Sequence, residues 1–248
     1  MKELDSLEAY RINFQSVYHN QSNSMALCLN LLEFAQFQFK STYLYQNQDR
    51  LKEVCNSTHS FQVNVKSVEG FLTNALIDDI KVSISFENLL KAFLLCNYYV
   101  VHELDRNILP ELWKIQKERP LLFTEVLEYV DWFESDKINT TNRQLKNQVR
   151  GIKNKTIQYS IILNNTRYRE IHNIDDEIIN LLNLVNNRRN ELHLQSSLQF
   201  QITNSTYSNF IILKDFLEKN IKRLQEDISA HLGINEQDRV PTMKISRS

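Results

Sequence analysis

Turn-forming residues are scarce in this chain. Its 248 residues include three Gly and three Pro. A β-sandwich or barrel needs frequent tight turns, so this scarcity argues against one, and an all-helical fold tolerates it. Three glycines also rule out a glycine-rich phosphate-binding loop. Charge of one sign is lacking too: the formal net charge is −1, so bulk charge points to no class of partner. No run of about 18 apolar residues occurs, so no membrane span is expected. The opening MKELDSLEAY is polar and unlike a secretory signal. Cys28, Cys55 and Cys96 are odd in number and free of CxxC spacing. They suit a reducing compartment as small buried residues, and the expected location is cytoplasmic. What is present is apolar: 42% of residues are hydrophobic, enough for one large core or two small ones.

The apolar residues recur mainly at helical spacing. The first expected helix covers Leu7 to Tyr18. A second runs from Ser24 to Cys55, with Met25, Cys28, Leu29, Leu32, Ala35 and Phe39 on one stripe. Phe61, Val63 and Val65 alternate, which fits a short strand or, better, a loop; KVSISF, around Val82, is ambiguous in the same way. Helical patterning returns in FENLLKAFLLCNYYVVHELD, from Phe86. ILPELWKIQKE places Pro110 in the first turn of a new helix, and Pro120 opens another. Asn139 to Leu163 becomes helical in its second half. Asp175 or Asn173 can cap a helix with the stripe Ile178, Leu181, Leu182, Val185, Arg189 and Leu192. A last helix spans Ser205 to Leu232, with Gly233 as its C′ residue.

Two polar features interrupt this pattern. Eight basic residues and no acid lie between Lys137 and Arg169. The rest of the chain then carries about −9, and a local field of that kind attracts polyanions. Lys146, Arg150, Lys153 and Lys155 are the candidate RNA contacts there. Tyr159 and Tyr168 lie in the same run, where they can stack bases or fill the core. The second feature is NNRRNELHL, from Asn186 to Leu194. At about 100° per residue, Arg189 falls within about 40° of the centre of the Val185 stripe, with Arg188 and His193 about 60–80° to either side. Two guanidinium groups left unpaired in a core would cost several kcal/mol each, so they must meet carboxylates, a cleft or a partner surface. Glu87 and Glu103 are possible carboxylate partners.

Arg188, four intervening residues and His193 resemble the signature of the HEPN superfamily: an Arg, four to six residues and a His, with a polar residue early in the gap. Here Arg189 occupies the usual polar position and Asn190 follows it, so Arg188 and Arg189 both stand as candidates for the functional arginine. RYREIH, from Arg167 to His172, has the same spacing. HNIDDE reads as a helix start, however, and puts that Arg and His on different elements. FENLLKAFLLCNYYVVHELD resembles the family's earlier core helix, through Glu87, Leu90, Lys91, Ala92, Leu94 and the HEL of His102 to Leu104. The resemblance covers roughly Val68 to His231. It implies an all-α helical bundle of HEPN type over 67–232, with an N-terminal helical extension (1–66) and a C-terminal tail (233–248).

The resemblance further implies a homodimer with a composite site. It also implies a metal-independent RNA endonuclease, a toxin or antiviral effector with a possible antitoxin or regulatory protein. The chemistry agrees. RNA supplies its own nucleophile, the 2′-OH. His193 can act as base or acid near neutrality. Arg188, with Arg189, can hold the phosphate and stabilise its added charge, and Asn190 can orient it. The products are a 2′,3′-cyclic phosphate and a 5′-hydroxyl. No metal or cofactor is required. Asp78–Asp79 and Asp175–Asp176 read as caps or solvent charges, and His102, Glu103 and Asp105 lack a second ligand cluster. The alternative is a non-catalytic helical interaction or RNA-binding module, with the arginines in a structural ion-pair network.

Overall fold

The computed structural model describes residues 18, 21–49, 65–129, 151–193 and 204–232. The described residues are mostly helical. None of their helices is long and apolar enough to cross a membrane. In chain order the elements are α1 (Gln21–Lys40), α2 (Tyr43–Gln46), α3 (Val65–Cys96), β1 (His102–Leu104), α4 (Pro110–Glu118), α5 (Phe123–Leu127), β2 (Ile152–Thr156), α6 (Tyr159–Asn164), α7 (Thr166–His172), α8 (Asp176–His193) and α9 (Asn204–Leu232).

α3 is the axis of the molecule. Its second half, from Phe86 to Cys96, is buried on almost every side, because α1, α8 and α9 all pack on it. α1 contributes Met25, Cys28, Leu32, Ala35 and Phe39, the stripe expected from helical spacing. α9 contributes Phe210, Leu213, Leu217, Ile221, Leu224 and Ile228 at the same period. Phe39 and Phe210 stack with ring centroids 5.1 Å apart, tying α1 to α9. α8 lays Ile178, Ile179, Leu182 and Val185 into the core.

Several expectations need correction. The helix expected from Ser24 to Cys55 ends at Lys40. Thr42 stops it: its hydroxyl accepts the Tyr45 N–H at 3.2 Å and starts α2. Asp78, far along the chain in α3, accepts the N–H groups of Tyr43 (2.7 Å) and Leu44 (2.9 Å) and satisfies two more donors at that helix start. Val65, expected in a loop or strand, begins α3, and KVSISF lies inside the same helix. Tertiary packing overrides the β-branched preference there: Val82, Ser83, Ser85 and Phe86 are buried, and the Ser85 hydroxyl donates to the Ala35 carbonyl of α1 at 2.5 Å.

The helix expected to continue through HELD ends at Cys96, and His102–Leu104 is a strand. Tyr98 takes a positive φ of 61° just past the helix and turns the chain. β1 pairs antiparallel with β2, with His102 opposite Thr156 and Leu104 opposite Ile152. Gly151, at φ 103°, precedes β2, and its carbonyl accepts the Asp105 N–H at 2.8 Å. Gln116 of α4 touches β1 as a strand would: its Oε1 accepts from Leu104 N (3.0 Å) and its Nε2 donates to the His102 carbonyl (2.9 Å). Pro110 is at the start of α4, as expected. Pro120 does not open α5, which begins at Phe123. The helix expected in the second half of Asn139–Leu163 is a helix only from Tyr159; before it, Ile152–Thr156 is a strand, held by its pairing with β1. The helix expected at Leu7–Tyr18, and Gly233, fall largely or wholly outside the described residues.

Candidate functional site

α8 delivers the two arginines. Asp175 starts the helix, its Oδ1 accepting the Ile178 N–H at 2.9 Å. Asn173, the other candidate cap, instead closes α7 in the left-handed conformation. From that start the buried stripe Ile178, Leu182, Val185 leads directly to the flank carrying Arg188 and Arg189.

Arg188 meets Asp79 of α3. Nη2 donates to Oδ1 at 2.8 Å, and Nε lies 2.8 Å from Oδ2. One hydrogen bond and a second close charge contact thus join the pair at the edge of the core: the Asp79 side chain is 9% exposed and that of Arg188 27%. Burial raises the Asp79 carboxyl to a pKa of about 6, against the opposing pull of the Arg188 charge and hydrogen bond. Asp79 is thus a ligand of Arg188 and no solvent charge. Asp78 does cap, and it caps α2.

Arg189 points toward Glu87, Nη1 to Oε2 at 4.0 Å. The other Glu87 oxygen accepts from Lys91 Nζ at 2.6 Å, and Lys91 also donates to Thr156 Oγ1 of β2 at 2.8 Å. Glu87, Lys91 and Arg189 therefore share one polar cluster. It joins the α3 segment and the α8 segment that carry the resemblance described above. Asp79 and Glu87 stand eight positions apart on α3, about 12 Å along the helix, so the two adjacent arginines diverge to separate carboxylates. Of the suggested partners, Glu87 is used and Glu103 is not. Glu103 instead lies 3.7 Å from Lys117 and 3.5 Å from Lys155.

The backbone of α8 continues through Asn190 to His193, one turn beyond Arg189; the side chains of Asn190 and His193 lie outside the described residues. Lys146 and Arg150 also lie outside them. Lys153 and Lys155 are on β2, with Lys155 exposed beside Glu103. Arg167 and Arg169 pair with Glu170 and Asp176. Tyr159 and Tyr168 are both buried, and the Tyr168 hydroxyl donates to the Gln116 carbonyl at 2.9 Å. Neither ring is placed to stack an RNA base.

RYREIH is a single helix, α7, so its Arg and His do share one element. What separates them is direction: Arg167 is exposed, and His172 is buried against Phe93, ring centroids 5.5 Å apart. His102 is buried as well. The Tyr18 hydroxyl accepts the N–H groups of Val101 (3.2 Å) and His102 (3.1 Å) and gives its own proton to His102 Nδ1. Asp105 turns away and accepts the Asn107 N–H at 2.8 Å. No group of three or more His, Cys, Asp or Glu placed to hold a metal occurs among the described residues.

A cleft of about 350 Å³ lies elsewhere, lined by Tyr99, Arg119, Leu122, Glu125, Arg167 and Glu170 among others. Neither Arg188 nor Arg189 lines it. Sequence reasoning found both arginines and Glu87 but missed Asp79. The available signal was its position seven residues before Phe86, on the buried stripe of α3. No protein-family model, curated protein or solved structure matches the chain.

Proposed function

We propose that the chain is a metal-independent RNA endonuclease of HEPN type, acting as a homodimer in a toxin or antiviral role. Arg188 and Arg189 bind and neutralise the scissile phosphate, Asn190 orients it, and His193 moves the proton. Lys146, Arg150, Lys153 and Lys155 extend the contact along the strand. One observation supports this reading above others: the last turns of α8 carry two part-exposed arginines, Arg188 held by Asp79 of α3 and Arg189 facing Glu87 of α3 at 4.0 Å, directly before His193. A guanidinium held on one edge by a carboxylate is preorganised, so little is lost in ordering it around a phosphate.

The test uses an end-labelled RNA in excess EDTA. The expected products carry a 2′,3′-cyclic phosphate and a 5′-hydroxyl. His193→Ala, with an unchanged circular dichroism spectrum, is expected to slow cleavage about 10²–10⁴-fold. Cleavage by that variant at the wild-type rate removes the assignment.

A second reading, a non-catalytic helical interaction or RNA-binding module, draws on the same ion pairs. Arg188 and Arg189 already have carboxylate partners within the chain. Under that reading the arginines hold α8 to α3, and no RNA is cut at any protein concentration.

A further inference from the structure

Cys28 and Cys96 are distant in sequence and adjacent in the fold. Cys28 sits on the buried face of α1, and its Sγ donates to the Ala92 carbonyl of α3 at 3.2 Å. Cys96 is one helical turn beyond Ala92, so its own amide is directed at that same carbonyl in the α-helical pattern. Both cysteines thus converge on the Ala92 carbonyl with their side chains side by side, and when Cys96 ionises the Cys28 proton can turn from that carbonyl to the thiolate.

The pair is asymmetric. Cys28 is wholly buried, whereas Cys96 ends α3 next to exposed Asn97 and keeps 5% of its surface. The hydrogen bond from Cys28 favours the Cys96 thiolate, while burial and Asp227 of α9 oppose it and Arg223 of α9 assists. The Arg223 guanidinium lies over the Phe93 ring at 4.9 Å, one turn back along α3 from the thiol. The C-terminal end of α3 opposes a negative charge at Cys96, so the neighbouring thiol and the Arg223 cation are what favour it. A thiolate next to a second thiol and near a cation is the arrangement in which a cysteine is oxidised and then resolved.

We propose that Cys28 and Cys96 are an oxidisable pair, which hydrogen peroxide converts to a disulfide joining α1 to the C-terminal end of α3. The Cys96 thiolate attacks the peroxide oxygen. The O–O bond breaks, and with one proton the products are Cys96 sulfenic acid and water. The Cys28 sulfur then attacks the sulfenic sulfur, forming the S–S bond and releasing a second water. One hydrogen peroxide is reduced for two thiols oxidised. Cys96 is the peroxidatic residue and Cys28 the resolving one.

The experiment treats the folded full chain with one equivalent of hydrogen peroxide, blocks remaining thiols with N-ethylmaleimide in denaturant, and digests without reductant. The expected result is a Cys28–Cys96 cross-linked peptide that dithiothreitol releases, with Cys55 alkylated. In Cys28→Ser, which lacks the resolving thiol, dimedone is expected to label Cys96. Recovery of Cys28 and Cys96 both alkylated, or of a disulfide that contains Cys55, overturns the proposal. The wild-type peptide map decides the matter even where Cys28→Ser fails to fold.

Discussion

His172 is buried in the core with no hydrogen-bond partner at either ring nitrogen. Burial alone pushes its pKa down to about 3, and burial also pushes His102 down to about 4. Both folded values lie below the unfolded one, so the unfolded chain takes up protons first as the pH drops below about 6.5, and stability is lost. From pH 7.5 to 5 each histidine removes about 2 kcal/mol. Asp79 works the other way. Its folded pKa, about 6, is above the unfolded one, so protonation returns about 1 kcal/mol over the same range. Urea denaturation at both pH values should show a net loss of about 2–3 kcal/mol, and His172→Leu should reduce that loss by about 2 kcal/mol. An unchanged pH dependence in that variant would mean His172 gains a proton in the fold. The Arg188–Asp79 pair sets a second residue-level expectation. Arg188→Ala leaves a buried carboxylate without its guanidinium and should cost about 2–3 kcal/mol, less than a fully buried pair because Arg188 is part-exposed. Asp79→Asn keeps a hydrogen-bonding group and removes the desolvated charge, so its loss in denaturant should be smaller. Reversal of that order would show that the negative charge of Asp79 is itself what stabilises α8 on α3. The arginines were legible because two cations on an apolar stripe are conspicuous at a period of 3.6. Asp79 was not, since its burial is visible only once the residues from Val65 onward are known to be helical.

At the scale of elements, legibility followed the strength of periodicity. α1, α8 and α9 each carry a one-sided stripe that recurs over several turns, and their buried positions agree with the spacing. α3 was harder because it is covered on several sides. A helix buried all round loses the polar face that makes the period visible, and its β-branched residues then imitate a strand. β1 was invisible for a different reason. Three residues, His102–Leu104, become a strand through partners that are remote in sequence: β2 on one edge and the Gln116 amide on the other. That second edge gives a sharp prediction. Gln116→Leu fills a similar volume but strands the Leu104 N–H and the His102 carbonyl in the core. The loss should be about 2–4 kcal/mol, against about 1 kcal/mol for a surface hydrogen bond. In a chain of this length that lowers Tm by about 4–16 °C. A variant that melts with the wild type would show that β1 does not need its second edge. Hydrogen exchange at Leu104 gives an independent reading, because its amide should lose protection in the variant while the α9 amides keep theirs.

For the molecule as a whole, the described residues form a helical core in which α3 packs against α1, α2, α7, α8 and α9, and the proposed chemistry sits on one rim of it. In the proposed nuclease one His per subunit is too few for both halves of the reaction, since one group must deprotonate the 2′-OH while another protonates the 5′ leaving oxygen. The proposal draws the pair from two copies of α8 meeting across a two-fold axis. Association is not opposed by bulk repulsion, because each chain carries a net charge of only −1. This makes activity a property of the assembly, and kinetics can read it. Specific activity should fall on dilution through the dimer dissociation range and be restored by concentrating the sample. Folded His193→Ala subunits added in excess should draw wild-type subunits into mixed dimers with one imidazole. Cleavage should then fall well below what simple dilution of the active protein gives. The same excess of Arg188→Ala should inhibit less, because a mixed dimer keeps both imidazoles and loses one of two phosphate-binding arginines. Activity that is proportional to protein concentration and indifferent to either added variant would place the whole site within one subunit. A single His193 would then have to serve as base and acid in successive steps, with the cyclic phosphate held between them.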